Sequence, residues 1–174
     1  PSDAGRYKVV ASNAAGSATS TEVGLTVLVP VSIAAQPKSQ TLVAGTTAAF
    51  QVTATGTEPI GFQWRFKGAN ISGATNATLT LPNVSDANAG EYTVVLSNAA
   101  GTVTSAAAQL TVNTPLAITT QPQSQTVVAG TNATFAVEVT GTSPSFQWRL
   151  NGNDLFGATN AVLTLTNVQP SLAG

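Results

Sequence analysis

The 174-residue sequence contains no cysteine, no histidine and no methionine. Without cysteine there can be no disulfide, no thiol catalysis and no thiolate metal site. Without histidine, Ser-His-Asp triads and most zinc centres are excluded as well. Carboxylates and hydroxyls are left as the main groups for chemistry, and the sequence predicts neither an enzyme nor a bound cofactor.

Charge is also scarce. Charged residues make up 7% of the chain, against about 25% in typical soluble domains. Six Lys and Arg oppose seven Asp and Glu, and they form no basic cluster that could neutralise a row of phosphates. No run approaches the roughly 18 consecutive apolar residues that span a bilayer, and the first residues lack a signal-peptide pattern. We therefore expect no nucleic-acid partner and no membrane insertion by this segment.

The sequence repeats itself at a period of about 85 residues. QPKSQTLVAGTTAAF at 36–50 returns as QPQSQTVVAGTNATF at 121–135, a shift of 121 − 36 = 85, and AGRYKVVASNAAG at 4–16 returns as AGEYTVVLSNAAG at 89–101. Such self-similarity is the signature of a repeat architecture. It predicts the end of one repeat at 1–29, a complete repeat at 30–114 and a truncated third at 115–174.

Within each repeat, short runs alternate between apolar and polar residues and are separated by turn residues, which is typical of an antiparallel β-sandwich. The stretch FQWR occurs at 62–65 and at 146–149 and holds both tryptophans. Trp64 shares one strand face with Phe62 and Phe66, and Trp148 shares one with Phe146 and Leu150. This parity predicts that FQWR is core rather than an exposed platform for a sugar ring.

The residues around Tyr92 resemble a known family. Asn88, Ala89 and Gly90 before Tyr92, and Asp3, Ala4 and Gly5 before Tyr7, are similar to the D-x-G-x-Y-x-C signature of intermediate-set immunoglobulin domains. The resemblance implies tandem immunoglobulin-like antiparallel β-sandwiches, with strands F and G at 1–29 and strands A to E at 115–174. Without a disulfide, the repeats look like the immunoglobulin-like repeats of large bacterial surface and secreted proteins.

The same resemblance implies a set of core residues. Trp64 and Trp148 are the strand C tryptophans, and Tyr7 and Tyr92 are the tyrosine-corner residues whose hydroxyl bonds a nearby backbone group. Valines stand where the family has its two cysteines. The predicted core positions are Val52, Trp64, Tyr92, Val94, Val137, Trp148, Tyr7 and Val9.

Two other features are candidates for a site. Ser85, Asp86, Asn88 and Glu91 lie in one turn before strand F, but a calcium ion prefers more converging oxygens, so we interpret them as turn-forming residues and predict no metal site. Phe156 has Ser72 as its equivalent in the complete repeat. It is therefore either an isolated surface residue or a contact point with a partner or a neighbouring repeat.

Together these observations predict a non-catalytic repeat segment of an extracellular or cell-surface protein, acting as an adhesive or binding module or as a rod-like spacer. Expected partners are protein or glycan surface ligands and neighbouring immunoglobulin-like repeats. One alternative is an accessory module of a secreted polysaccharide-degrading enzyme. Another is assembly by strand addition, in which residues 1–28 of one chain complete the third repeat of the next.

Overall fold

The computed structural model describes residues 3–170, and almost all of its regular structure is β-strand. Twenty short strands are accompanied by one turn of 3-10 helix at Asp86–Asn88. The prediction of an all-β fold of immunoglobulin-like sandwiches is confirmed. No helix among residues 3–170 is long and apolar enough to cross a membrane.

The first segment is a pair of antiparallel ribbons. Its four strands are β1 (Gly5–Tyr7), β2 (Val10–Asn13), β3 (Gly16–Thr19) and β4 (Val23–Leu25). Strand β1 pairs with β4, and β2 pairs with β3. All described residues of these strands are exposed to solvent.

The complete repeat carries ten strands. They are β5 (Ser32–Ala35), β6 (Gln40–Val43), β7 (Ala48–Gln51), β8 (Thr53–Thr55), β9 (Gly61–Phe66), β10 (Ala69–Asn70), β11 (Thr78–Leu81), β12 (Gly90–Asn98), β13 (Gly101–Thr104) and β14 (Ala108–Asn113). One sheet has the order β10-β9-β12-β14-β6, with β13 also paired to β12. The other strands form the pairs β11-β7 and β5-β8.

The hydrophobic core follows the alternation seen in the sequence. Along β12, the residues Tyr92, Val94 and Leu96 are buried, while the residues between them are less so. The largest fully buried side chains of the described residues include Trp64, Tyr92, Phe50, Leu96 and Leu110. Burying each such side chain contributes about 1.5 to 3 kcal/mol, so these strands are held mainly by their inward faces.

Turn residues are placed where the backbone requires them. Phe66 and Ala69 pair across a two-residue turn in which Lys67 has φ 48° and Gly68 has φ 83°. Two positive φ angles are typical of the type I′ turns that match the twist of a hairpin. In the third segment Asn151 and Gly152 repeat this conformation with φ 48° and 83°.

The third segment repeats only part of this arrangement. Its strands are β15 (Ala117–Thr120), β16 (Ala133–Ala136), β17 (Glu138–Thr140), β18 (Arg149–Leu150), β19 (Asn153–Asp154) and β20 (Val162–Leu165). They form the pairs β15-β17, β16-β20 and β18-β19. Each pair has an equivalent in the complete repeat.

The chain divides into two compact units. The first comprises Pro1–Gln40, Thr47–Pro82 and Asn88–Thr111, and the second comprises Thr41–Thr46, Asn83–Ala87 and Val112–Gly174. These bounds differ from the three segments expected from the repeats. The division at 1–29, 30–114 and 115–174 therefore stays a prediction.

Candidate interaction surface

The FQWR stretch of β9 forms part of the core and of the loop that follows it. The Trp64 side chain is 0% exposed, and its indole N–H donates a hydrogen bond to the Asn76 carbonyl at 2.9 Å. The Gln63 amide donates to the carbonyls of Trp64 and Ile71 at 2.9 and 2.8 Å. The stretch thus supports the hydrophobic core and the following loop, and its tryptophan is unavailable to a ligand.

The second FQWR copy makes the same hydrogen bonds in a more open setting. Trp148 donates to the Asn160 carbonyl at 2.8 Å, and Gln147 donates to the carbonyls of Trp148 and Leu155 at 2.9 and 2.7 Å. Phe135 lies 6.3 Å from Trp148 between ring centroids. The hydrogen bonds of the FQWR stretch are therefore reproduced in the third segment, although strand β18 covers only Arg149–Leu150 there.

The eight predicted core residues fall into three groups. Val52, Trp64, Tyr92 and Val94 are buried in the complete repeat. Val137 and Trp148 are half-buried. Tyr7 and Val9 are instead 49% and 65% exposed.

The exposure of Tyr7 and Val9 corrects the prediction that they are core. Their equivalents Tyr92 and Val94 are covered because β12 lies within a sandwich, whereas β1 pairs only with β4 among the described residues. Local strand pairing alone leaves both faces of a two-stranded ribbon accessible. Alternation in the sequence predicts which face of a strand is apolar, but it does not predict whether a second sheet covers that face.

The tyrosine corner is present in the complete repeat. The Tyr92 hydroxyl donates to the Asn88 carbonyl at 2.8 Å, and its ring stacks on Phe50 with centroids 4.8 Å apart. Burial raises the pKa of Tyr92 above its ordinary value near 10 by desolvating the phenolate. The hydroxyl therefore acts as a neutral donor that fixes the start of β12.

We expect the Tyr92→Phe variant to lose about 0.5 to 1.5 kcal/mol of folding free energy at neutral pH through loss of this hydrogen bond. Because the folded pKa is raised, the neutral phenol stabilises the fold fully below the unfolded value of about 10 and progressively less as pH rises through the folded value. Urea unfolding at neutral and alkaline pH should show a steeper alkaline loss in the parent than in the variant. If the free energy of unfolding fell equally steeply with alkaline pH in both proteins, burial of the Tyr92 hydroxyl would not be the cause of the loss. Tyr7→Phe is the matched control, because Tyr7 is the equivalent residue and is exposed.

The acidic turn before β12 has a structural partner. Asp86 accepts a hydrogen bond from the Thr114 hydroxyl at 3.1 Å. Within residues 3–170 there is no group of three or more Asp, Glu, His or Cys side chains that could hold a metal ion. The stretch Asp86–Asn88 forms one turn of 3-10 helix.

Phe156 lies in a loop of the third segment and its side chain is fully exposed. An isolated exposed apolar residue is common and needs no special explanation. The contact role therefore stays a prediction of the sequence.

The stretch between the first and second repeats is bound to a loop of the complete repeat. The Thr57 amide donates to the Val29 carbonyl at 3.0 Å, and the Val29 amide donates to the Thr57 hydroxyl at 2.8 Å. The Asn98 side-chain amide donates to the carbonyls of Val29 and Thr57 at 2.8 and 2.9 Å. We call this set of Val29, Thr57 and Asn98 the junction clasp.

Glycine permits this close approach. Gly56 has φ 142°, and a Cβ placed on it would lie 2.9 Å from the Val31 Cα and 3.0 Å from the Pro30 carbonyl oxygen. Real Cβ atoms do not come so close to backbone, so a side chain at Gly56 would displace the connecting stretch.

The next junction has the same pair of reciprocal hydrogen bonds and the same closely approached glycine. The Thr142 amide donates to the Thr114 carbonyl at 3.0 Å, and the Thr114 amide donates to the Thr142 hydroxyl at 2.7 Å. A Cβ on Gly141 would lie 2.8 Å from both the Leu116 Cα and the Pro115 carbonyl oxygen. The shift is again 85, since 142 − 57 = 85 and 141 − 56 = 85.

Sequence reasoning missed these junction residues. The signal was the triplet TGT at 55–57 and 140–142, which recurs with the repeat. Its partners are backbone groups about 28 residues earlier in the chain, and backbone partners leave no mark in a sequence.

Comparison with known proteins identifies the complete repeat. Residues 31–112 match the sequence model of the immunoglobulin I-set domain. Human hemicentin-1 is 33% identical over 159 residues, which cover 87% of this chain and 3% of hemicentin-1. The cell adhesion molecule Dscam2 of Drosophila melanogaster is 32% identical over 159 residues, covering 86% of this chain and 8% of Dscam2.

Among solved structures, the I67-I69 fragment from the I-band of titin superposes with a TM-score of 0.81 at 22% identity. The match covers 98% of this chain and 66% of the fragment. At this identity the likeness concerns the fold alone, and the fold is that of tandem immunoglobulin domains.

The relatives also correct part of the sequence interpretation. They are animal proteins, so the association with bacterial and secreted proteins is not supported. The alternative of an accessory module of a polysaccharide-degrading enzyme is not supported either. This chain spans only 3% of the length of hemicentin-1 and 8% of that of Dscam2. Within that span, residues 31–112 match the immunoglobulin I-set domain, and the chain has the fold of tandem immunoglobulin domains.

Proposed function

We propose that the chain is a non-catalytic segment of an extracellular or cell-surface protein, in which immunoglobulin-like repeats act as a spacer and present binding surfaces for adhesion. The observation that carries the spacer role is the junction clasp. Reciprocal hydrogen bonds between Val29 and Thr57, repeated between Thr114 and Thr142, fasten each connecting stretch to a loop of the repeat that follows. A fastened connection restricts bending, whereas a flexible linker would allow the repeats to reorient.

Adhesion is supported by similarity. One relative is named as a cell adhesion molecule, and repeated surfaces gain strength through avidity even when each contact is weak. A protein partner fits this proposal better than a glycan. Among the described residues, the exposed aromatic side chains are Tyr7 and Phe156, and a glycan site would need an aromatic row.

The spacer role can be tested by distance measurement across the first junction. Because the chain contains no cysteine, spin labels can be placed at Thr19→Cys and Gln51→Cys without background labelling; both positions are exposed. We expect a narrow distribution of label-to-label distances in the dilute chain. A distribution as broad as that of a flexible linker would refute the spacer role.

The Gly56→Ala variant gives the matched perturbation. Its added Cβ would collide with backbone at the junction, at a cost of about 1 to 3 kcal/mol if the clasp stayed closed, so we expect the distribution to broaden. Gly73→Ala is the control, because Gly73 also has a positive φ of 72° but open space around it. Equal broadening in both variants would show that the effect is not specific to the junction.

A further inference from the structure

Strand β11 of the complete repeat is paired on one side only. Its partner is β7, and among residues 3–170 no other strand pairs with it. In immunoglobulin sandwiches the sheet that contains strands A, B and E ends on a strand D, which lies beside strand E. Strand β11 stands in the place of strand E, and residues 71–77 before it form no strand. The complete repeat therefore has an open sheet edge where such sandwiches have strand D.

The stretch that replaces strand D is bonded to β9. The Ile71 amide donates to the Trp64 carbonyl at 2.9 Å, and the Trp64 amide donates to the Ala74 carbonyl at 3.0 Å. The indole N–H of Trp64 donates to the Asn76 carbonyl at 2.9 Å. The equivalent stretch of the third segment is held to Trp148 by the same three hydrogen bonds. These bonds tie the stretch to strand C, so it does not pair with β11.

The register of the pair β11-β7 decides which backbone groups face the open edge. The Val52 amide donates to the Ala77 carbonyl at 3.0 Å, which makes Ala77 a hydrogen-bonded position in this antiparallel register. Hydrogen-bonded and non-hydrogen-bonded positions alternate along such a pair. Leu79 therefore bonds to β7, whereas the N–H and C=O groups of Thr78 and Thr80 point to the open edge.

The chemistry of this edge favours pairing with another strand. Residues 76–82, NATLTLP, carry no charge, whereas exposed edges are commonly protected by lysine. Thr78 and Thr80 are exposed on the outer face, while Leu79 is 6% exposed and faces the core. The edge is bounded at both ends, because the Asn76 carbonyl already accepts a hydrogen bond and Pro82 has no amide hydrogen.

We propose that two copies of this chain pair through β11, in an antiparallel contact with two-fold symmetry about Leu79. Thr78 of each copy then lies opposite Thr80 of the other, and the outward N–H and C=O groups of both threonines are bonded. A symmetric contact places the strand against its own sequence, so an uncharged strand avoids like-charge repulsion and gains favourable Thr–Thr pairs. The pairing requires neither the spacer role nor an adhesion partner, so its failure would leave the proposed function standing.

The geometry of the contact sets its size and its strength. Pairing uses the β11 edge of both copies, so the contact is isologous and closes at two chains. Leu79 is already buried within its own repeat, so the contact is held by backbone hydrogen bonds rather than by new apolar burial. We therefore expect a weak dimer, which gains strength when several repeats meet at once.

The test is sedimentation velocity of the 174-residue chain over a wide concentration range, in a Thr164→Pro background. Strand β20 is the equivalent of β11 and pairs only with β16, and a proline at this outward amide removes the second edge without breaking a ladder bond. We expect a monomer–dimer equilibrium. Adding Thr80→Pro should weaken the dimer by about fivefold or more, because the hydrogen bond from this amide is lost in both copies. A Thr164→Pro chain that stays monomeric at every concentration would overturn the proposal.

Charge substitutions test the register without removing a backbone hydrogen bond. Thr78→Lys with Thr80→Lys places like charges opposite each other and should weaken the dimer by about two- to thirtyfold, as should glutamate at both positions. A mixture of the two variants should form a one-to-one dimer that is tighter than either variant alone. Thr102→Lys with Thr104→Lys, at exposed positions of β13, adds the same charge and should leave the dimer unchanged. A mixture that forms no such dimer would contradict the register.

Amide hydrogen exchange distinguishes this edge from any other contact between copies. The amides of Thr78 and Thr80 should exchange rapidly in the dilute chain and slowly at concentrations at which the dimer forms. The Leu79 amide, which is bonded to β7, should be protected at both concentrations and serves as the internal control. Association that leaves the Thr78 and Thr80 amides unprotected would place the contact on another surface and overturn the proposal.

Discussion

Replacing Trp64 with alanine is expected to lower the free energy of unfolding of the complete repeat by about 3 to 5 kcal/mol. The side chain is wholly buried, lies 6.2 Å from Phe50 between ring centroids and donates its indole N–H to the Asn76 carbonyl. The variant loses the burial of the ring, leaves a cavity and removes one hydrogen bond. A small domain is stable by only about 5 to 15 kcal/mol, so much of the population could unfold.

The measurement is urea unfolding followed by far-ultraviolet circular dichroism, which does not depend on the tryptophan signal. Trp148→Ala is the matched control, because Trp148 occupies the same place in the repeat and makes the same backbone hydrogen bond at 2.8 Å but is only half-buried. Its cost should be clearly smaller in the dilute monomer. Equal losses of unfolding free energy in the two variants would mean that the burial of the Trp64 side chain is not the reason for its contribution to stability.

Replacing Val94 with aspartate is expected to unfold the complete repeat, at a cost above about 4 kcal/mol. Val94 is wholly buried in β12 opposite Trp64, and a carboxylate there would have neither water nor a positively charged partner. Protonating the new carboxyl would reduce this cost, so the variant should recover part of its stability at acidic pH.

The internal copy supplies the control for this substitution. Val9 has the same position in the repeat but is largely exposed, so Val9→Asp should leave the unfolding of the dilute monomer within about 0.5 kcal/mol of the parent. Thermal and urea unfolding of the two variants side by side measure the contrast. Comparable destabilisation by both changes would show that the first segment is covered in solution.

The fold could be predicted from the sequence because the alternation of apolar and polar residues and the choice of turn residues are local signals. Strand β12 buries alternate residues, as its pattern predicts, and the Lys67–Gly68 turn adopts the positive φ angles that a two-residue hairpin turn requires. The interpretation of FQWR as core rested on the same parity, and the structure buries Trp64 in that way.

Two other features could not be predicted, because they depend on contacts that are not reflected in the order of residue types. Tyr7 and Val9 lie in a stretch of sequence similar to that around Tyr92 and Val94, yet they are exposed because no second layer covers them among the described residues. The junction clasp was invisible because Asn98 and Thr57 bond to backbone carbonyls and amides, which every residue has. Only the recurrence of TGT hinted that this loop has a shared role.

The most direct test of the account is amide hydrogen exchange at Thr57 and Thr142, measured by NMR on the dilute chain. Both amides donate to carbonyls across a junction, so both should exchange far more slowly than amides of the exposed loops. Asn98→Ala should accelerate exchange at Thr57 by about tenfold or more, since loss of the two hydrogen bonds from Asn98 weakens the first junction by about 1 kcal/mol each, and should leave Thr142 unchanged. Rapid exchange at both amides in the parent chain would contradict the claim that each connecting stretch is fastened to a loop of the repeat that follows it.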